Sequence, residues 1–455
     1  MKRLGFRIAA IVLLLAVRLA APAAAQESGL LGMLDFTLRS MDFPILVNEA
    51  GETCVILTMS SIDTNWAAHD NRGLILRADL DGQFANHIVV FGGAQPMEYS
   101  ACLGPVPQGE HTLTLALEPD ISPARTGSVL IHEIIARTIL PHDIRYRFFE
   151  HAPWIYERVA EKGSDITLAI MGAPWSADGR TTIEYHIVFS NEDGGTGRNP
   201  AILMSRYGRI TDIEWVYRVV LDDATGDIVS EQYQGEGHDT KNFTGRKIGR
   251  HPVLRCSTDN GNFDQNGETP VRAAPEPVIF SWGADKPRDA VMDAFPWMHR
   301  IASEESFAEN KASAKYNRAS AQLADMRDYI YIDYRANNLN GEKTLSFEVK
   351  LKNEKRWLSS NPGKDVPFLG DDGLLAFSGW ARTNIKLPPG VKYENIEAFR
   401  IAGTDRVSYE IHEVKAFMLD PGYAPLPPFF TLPQPATLSQ TNRTATYKIE
   451  RQPGQ

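Results

Sequence analysis

Four carboxylates and a histidine crowd the middle of the chain: His186, Glu192, Asp193, Asp212 and Glu214. His186 lies in "IEYHIVFS". Read as a strand, that run puts Glu184, His186, Val188 and Ser190 on one face and Ile183, Tyr185, Ile187 and Phe189 on the other. Asn191, Glu192 and Asp193 follow at the strand end, and Gly194 and Gly195 free the backbone to turn sharply. Carboxylates on such a loop suit acid/base work, sugar hydroxyls or a hard cation. In "TDIEW", Asp212 and Glu214 project to one side, spaced to act as a pair or to chelate one cation. Ile213, Trp215 and Tyr217 are expected on the opposite face. Glu192, Asp193, Asp212 and Glu214 are therefore the candidate catalytic residues, with His186, Asn191 and Trp215 as candidate ligand contacts. The competing reading is plain: an Asx-type turn and a solvated outer face.

A second oxygen-rich segment is "HPVLRCSTDNGNFDQNGE". Asn262, Asp264, Asn266 and Gly267 follow the spacing of the first half of a calcium loop, with Ala273 where its closing glutamate would stand. The loop departs from a regular calcium hand and leaves the cofactor open, with calcium as one candidate: Asp212 and Glu214 form one candidate metal pair, and Asn262, Asp264 and Asn266 another. His251, before Pro252, joins the ligand candidates. Trp357, Trp380 and Trp66 are candidate aromatic platforms, since an indole face stacks well on the apolar face of a sugar; a tryptophan is also a natural core residue.

The elements that must position these residues are mostly strands. "GEHTLTLALEP" alternates, with Leu113, Leu115 and Leu117 on one face, and Asp81-Gly82 marks a hairpin. "KTLSFEVKLK" places Leu345, Phe347, Val349 and Leu351 together. Turn residues between short apolar runs predict antiparallel sandwiches. The organisation expected is a leader at 1–25, an N-terminal β-sandwich at 30–138, a central β-rich domain at 141–311 ending in a helix, and a C-terminal sandwich at 325–423. A proline-rich tail at 424–455 would run extended over the body. Pro296 should interrupt the helical stretch "KPRDAVMDAFPWMHRIASEE". The fold class is mainly β: two antiparallel β-sandwiches flanking that central domain.

The leader combines Lys2, Arg3 and Arg7, an apolar run from Ile8 to Val17, and Ala23 to Ala25 before Gln26. That pattern predicts secretory export to the periplasm or beyond, with no membrane-spanning segment after cleavage. Loss of Lys2, Arg3, Arg7 and Arg18 from 47 Lys and Arg against 57 Asp and Glu takes the formal charge from −10 to −14. Such a balance argues against nucleic acid as a partner. In an oxidising compartment Cys54 and Cys102 are natural disulfide partners, leaving Cys256 as a small buried residue.

"HAPWIYER", "TDIEW" and "HPVLRCSTDNGNF" stand in the order and rough spacing of the central region of vacuolar-protein-sorting-like domains, which they resemble. Here Trp154 is added to the opening motif, and Asp212-Ile213-Glu214-Trp215 replaces an Asp-Trp-Glu-His strand. "SNEDGGTGRNPAILMSRYGRITDIEW" and "AVMDAFPWMHRIASEE" are similar to uncharacterised exported bacterial proteins. The resemblance covers the middle third and implies a β-rich central domain without an established activity. Two functional readings follow: a binding protein for a glycan or another cell-envelope component, or an exported polysaccharide hydrolase or lyase using the central carboxylates.

Overall fold

The structure, a computed structural model, describes residues 30–158, 166–192 and 198–449. The predicted leader, Asp193 and the Gly194-Gly195 pair lie outside the described residues. Among the described residues no helix is long and apolar enough to cross a membrane.

The chain is mainly β, with sandwiches at both ends. At the N-terminal end, strands Gly32–Leu34, Ser128–Ile139, Gly51–Ile62 and Met97–Val106 form one antiparallel sheet. It faces a sheet containing Gln83–Val90, Leu74–Leu80, Gly109–Leu117 and Ser40–Val47 in that order. Alternation explains the pairing: Leu113, Leu115 and Leu117 point into a core shared with Val55, Leu57 and Met59 of the facing sheet. Asp81 and Gly82, both at positive φ, turn the hairpin joining Leu74–Leu80 to Gln83–Val90. Cys54 stands opposite Cys102 on neighbouring strands, and the two form the disulfide; Cys256 is buried in the same apolar cluster.

The second sheet does not stop at residue 138. Arg272–Ala273 pairs in parallel with Gln83–Val90, Trp154–Tyr156 pairs with Arg272–Ala273, and His251–Cys256 runs parallel to Trp154–Tyr156. Central segments thus extend the N-terminal sandwich. Such short strands carry no periodicity long enough to assign them in advance.

The central sheet orders Thr240–Asn242, Ile228–Gln234, Asp212–Asp222, Arg180–Phe189, Thr167–Ala177 and Val278–Ile279. The helical stretch breaks as expected at Pro296: one short helix ends at Ala294 and the next spans Trp297–Ala308. That second helix sends Met298 and Ile301 into the N-terminal core, while His299 meets the ring of Tyr331 in the C-terminal sandwich at 5.3 Å.

The C-terminal sandwich packs Tyr329–Asn338, Gly379–Lys386 and Tyr409–Phe417 over Leu345–Leu351 and Ile396–Gly403. The segment from 424, expected as a proline-rich tail extended over the body, supplies strands to both sheets. Phe430–Thr431 and Ala436–Leu438 pair with Tyr409–Phe417, and Thr444–Lys448 pairs with Ile396–Gly403. The reason is burial: Phe430, Leu432 and Leu438 enter the core, Phe430 stacks on Phe399 at 4.3 Å, and the prolines fall outside these three strands.

Candidate functional site

Strand Arg180–Phe189 keeps the predicted alternation, so Ile183, Tyr185, Ile187 and Phe189 pack into an apolar core. On its other face Glu184 accepts from His186 Nε2 at 2.9 Å and from Arg218 Nε at 2.7 Å. Burial pushes the Glu184 carboxyl up, but His186 and Arg218 outweigh it and hold it at about 2. The other imidazole nitrogen, Nδ1, accepts from Arg288 Nη1 at 3.1 Å. Burial, reinforced by Arg288, lowers the His186 value despite Glu184, so the ring is a neutral, fixed acceptor at pH 7. Trp282 meets that ring edge-on at 4.6 Å.

His186, Trp282 and Arg288 form one wall of a cleft of about 400 Å³. The opposite wall comes from the C-terminal sandwich: Phe377, Trp380 and Arg382. Trp380, half-buried, is anchored by its indole N–H to the Ala284 carbonyl at 3.2 Å. The remaining wall is the end of helix Pro200–Tyr207, which brings Arg206 and Tyr207, with Arg209 just beyond it. That helix has legible ends. The Asn199 side chain accepts from Ala201 N at 2.9 Å, Pro200 takes the first helical position, and Gly208 closes it at φ 68°. Gly208 is also required by packing, since a Cβ there would collide with the Arg382 side chain. Arg206, Tyr207, Arg209, Trp282 and Arg288 were not singled out from the sequence. The Asn199-Pro200…Gly208 frame, with Arg206 and Tyr207 at the helix end and Arg209 just past its cap, is the signal that marks three of them.

The charges in this cleft are unequally matched. Arg382 is fully buried and bridges two carboxylates, Asp333 at 2.6 Å and Asp293 at 2.9 Å. Arg209 donates to Asp289 at 2.5 Å. Arg206 and Arg288 have no carboxylate within ion-pair distance among the described residues. Arg206 lies over the Tyr207 ring at 5.7 Å, and Arg288 is held by His186. Burial and neighbouring Arg209 lower the Arg288 value, against the pull of Asp289, Glu214 and Asp212.

The other predicted residues distribute as follows. Asp212 is 5% exposed rather than on a solvated face. Burial, then Glu214 and Glu192, raise its carboxyl well above the ordinary value, against Arg209 and Arg288. Glu192 is buried and its N–H donates to the Ile210 carbonyl at 2.8 Å. Glu214 accepts from Gln234 at 2.8 Å, within a polar group that includes His238, Asn260 and Asn262. Three of the four proposed catalytic acids therefore form one electrostatic neighbourhood, but neither Asp212, Glu214 nor Glu192 lines the cleft.

Several expectations are corrected. Tyr217 does not share a face with Ile213 and Trp215: Tyr217 stands opposite Tyr185 and Trp215 opposite His186, so Val216 is a bulged extra residue and the alternation flips. Trp215 lies under the Arg218 guanidinium at 5.1 Å and is not part of the cleft. Asp264 and Asn266 bond to each other at 3.2 Å, and Asp264 pairs with Arg255 at 3.3 Å, apart from the contacts of Asn262 with His238. Among the described residues no group of three or more His, Cys, Asp or Glu is arranged to hold a metal ion. His251 is buried against Trp154, its nitrogens taken by the Ala152 carbonyl at 2.9 Å and Glu52 at 3.1 Å, which makes it structural. Asn191 donates to Glu309 at 2.8 Å. Trp66 is 1% exposed and donates to Glu305, so it is core, and the ring of half-buried Trp357 is covered by Arg400 at 4.0 Å. Of the three candidate platforms, Trp380 alone joins the cleft.

A larger cleft, about 850 Å³, lies between the N-terminal and central sheets. None of the sequence-selected residues lines it, and Arg137 and Glu276 on its wall pair with each other at 2.7 Å.

No family profile and no curated protein matches the chain. Among solved structures it is similar to a carbohydrate-binding domain, CBM36-1, of a multidomain xylanase from the hindgut metagenome of Trinervitermes trinervoides. That match has 16% identity and a TM-score of 0.18, covering 22% of this chain and 72% of that one. It is also similar to the EclA C-terminal domain, a sugar-binding protein, at 11% identity and TM-score 0.19, covering 26% and 88%. The tandem CBM51 modules of a Streptococcus pneumoniae glycoside hydrolase match at 11% identity and TM-score 0.15, covering 76% and 72%. Likenesses this small say nothing of what this chain binds.

Proposed function

We propose that the chain is an exported glycan-binding protein whose site is the cleft between the central sheet and the C-terminal sandwich. The observation that carries this reading is the pairing of two half-buried indoles, Trp282 and Trp380, with guanidinium donors in one concave site of about 400 Å³. Sugars are recognised by that combination: an aromatic face for the apolar side of the ring and fixed polar groups for its oxygens. Because the walls come from two modules, the site exists only when both are docked. The test is a thermal-shift titration of the mature protein with neutral and acidic oligosaccharides, alongside calcium, zinc and EDTA. A ligand that binds only the folded state raises the midpoint by mass action. An oligosaccharide should raise it, and Trp380→Ala should abolish the shift while the unliganded midpoint stays near the wild type. A sugar shift that survives both Trp380→Ala and Trp282→Ala would place binding elsewhere and sink the reading.

A hydrolase or lyase retains one specific support, the carboxyl of Asp212 raised by burial and by neighbouring Glu214 and Glu192, since a carboxyl shifted upward is the kind general-acid catalysis uses. The same oligosaccharides, analysed for new reducing ends or unsaturated products, test it directly. Asp212→Asn would have to remove the activity.

A further inference from the structure

We infer that the cleft is built for an acidic sugar, one whose ring carries a carboxylate or a phosphate, with Arg206 and Arg288 receiving the anionic group. This rests on the glycan-binding reading above and adds the ligand's charge to it. Four guanidinium groups line the cleft, and two are already answered: Arg382 by Asp293 and Asp333, Arg209 by Asp289. Arg206 and Arg288 have no carboxylate at ion-pair distance among the described residues: Arg206 lies over the Tyr207 ring, and Arg288 donates to the His186 imidazole while Asp289, Glu214 and Asp212 act on it only from longer range. A neutral sugar would give both guanidinium groups ordinary hydrogen bonds and leave their charge unanswered in a partly desolvated site. A carboxylate or phosphate fits the planar fork of an arginine and forms charge-assisted bonds about twice as strong as neutral ones. The downward pressure on Arg288 from burial and from Arg209 agrees, because an arriving anion relieves it.

His186 completes the device as a positioning residue. Glu184 takes its Nε2–H, which turns Nδ1 toward Arg288 as an acceptor and fixes the guanidinium in the wall. Trp282, edge-on to that imidazole, stands beside the charge, so one ligand can meet an anion receptor and an aromatic surface together. The overall acidity of the chain makes this local reserve of unmatched positive charge the more specific, since the surrounding field does not favour anions in general.

The experiment is isothermal titration calorimetry of the mature protein with paired probes. Tetragalacturonic acid is compared with its full methyl ester, and mannose 6-phosphate with mannose. The expected result is binding about tenfold or more tighter for at least one anionic probe than for its neutral partner, the factor one charge-assisted hydrogen bond supplies. Whether the acid or the phosphate shows it distinguishes the two sources of the anion. Arg206→Gln, at a half-buried helix end, should erase most of that preference by weakening the anionic probe more than its neutral partner. Arg288→Gln should do the same, and its circular dichroism and melting midpoint show whether it has folded. Equal affinity for anionic and neutral partners, lost in Trp380→Ala, would overturn the anion assignment and leave the glycan reading standing. An anionic preference that survives Arg206→Gln and a folded Arg288→Gln would also overturn it. No binding by any probe at millimolar concentration would overturn both.

Discussion

Arg382 is the residue whose loss should most weaken the docking of the central region on the C-terminal sandwich. Its guanidinium is buried, donates to Asp333 on the neighbouring strand at 2.6 Å, and reaches Asp293 of the central helical segment at 2.9 Å. Replacing it by methionine preserves much of the apolar stem and removes the charge. Two carboxylates then face each other in a site shaped for a cation. Removing one partner of a buried ion pair costs about 3 to 5 kcal/mol, and here two acids lose the same partner, so about 4 kcal/mol is expected for Arg382→Met. Urea unfolding followed by tryptophan fluorescence reads the loss, because Trp282 and Trp380 line the same cleft. The triple variant Arg382→Met, Asp293→Asn, Asp333→Asn should recover at least half of it, since the penalty comes from uncompensated charge rather than from packing. The pH dependence has a definite sign. In the native protein burial raises Asp293, but Arg382 and His299 prevail and hold it at about 2. That contribution is present above the unfolded carboxylate range and is lost as pH falls toward 2. In Arg382→Met the acids lose their cation and protonate at higher pH, so the gap from the wild type should be widest at neutral pH and should narrow on acidification. A cost below about 1 kcal/mol, or a triple variant no more stable than the single one, would refute the reasoning.

Two further outcomes follow from the same structure. Reducing the Cys54–Cys102 bond, whose partners are 48 residues apart, should cost about 4 kcal/mol by the chain-entropy argument, read as a lower urea midpoint that Cys54→Ala/Cys102→Ala reproduces; an unchanged midpoint contradicts it. Glu184, held at about 2 against an ordinary 4.5, stabilises the native state above pH 4.5 by up to about 3 kcal/mol and loses that contribution as pH falls toward 2. The stability difference between wild type and Glu184→Gln should therefore be large at pH 7 and reduced to about a quarter of that at pH 2.5, and a difference independent of pH would show that the His186–Glu184–Arg218 chain does not act electrostatically.

Local pattern carried the strands. Leu113, Leu115 and Leu117, or Leu345, Phe347, Val349 and Leu351, reach their cores because period-two spacing and β-propensity agree with burial. Cys54 and Cys102 could be paired because two of three cysteines fell in one β-rich segment. The break at Pro296 needed only the missing N–H of proline. The helix Pro200–Tyr207 is equally local in origin: Asn199, Pro200 and Gly208 are enough to start and stop it.

What the sequence determined by itself was which segments are extended, where they turn and which faces are apolar, because those properties depend on neighbours a few residues apart. Tertiary structure alone decided what Trp66, Trp357 and Trp380 do, since identical side chains became a core residue, an arginine-covered ring and a cleft wall according to what folded over them. It also decided that one bulged residue, Val216, would put Tyr217 on the face that simple alternation denies it. Most of all it assembled the site. Arg206, Arg288 and Trp380 come from three distant stretches, and no spacing within any one of them records that they share a cavity. A local periodicity can say that a side chain leaves a sheet; only the packing of one module on another says what it meets there.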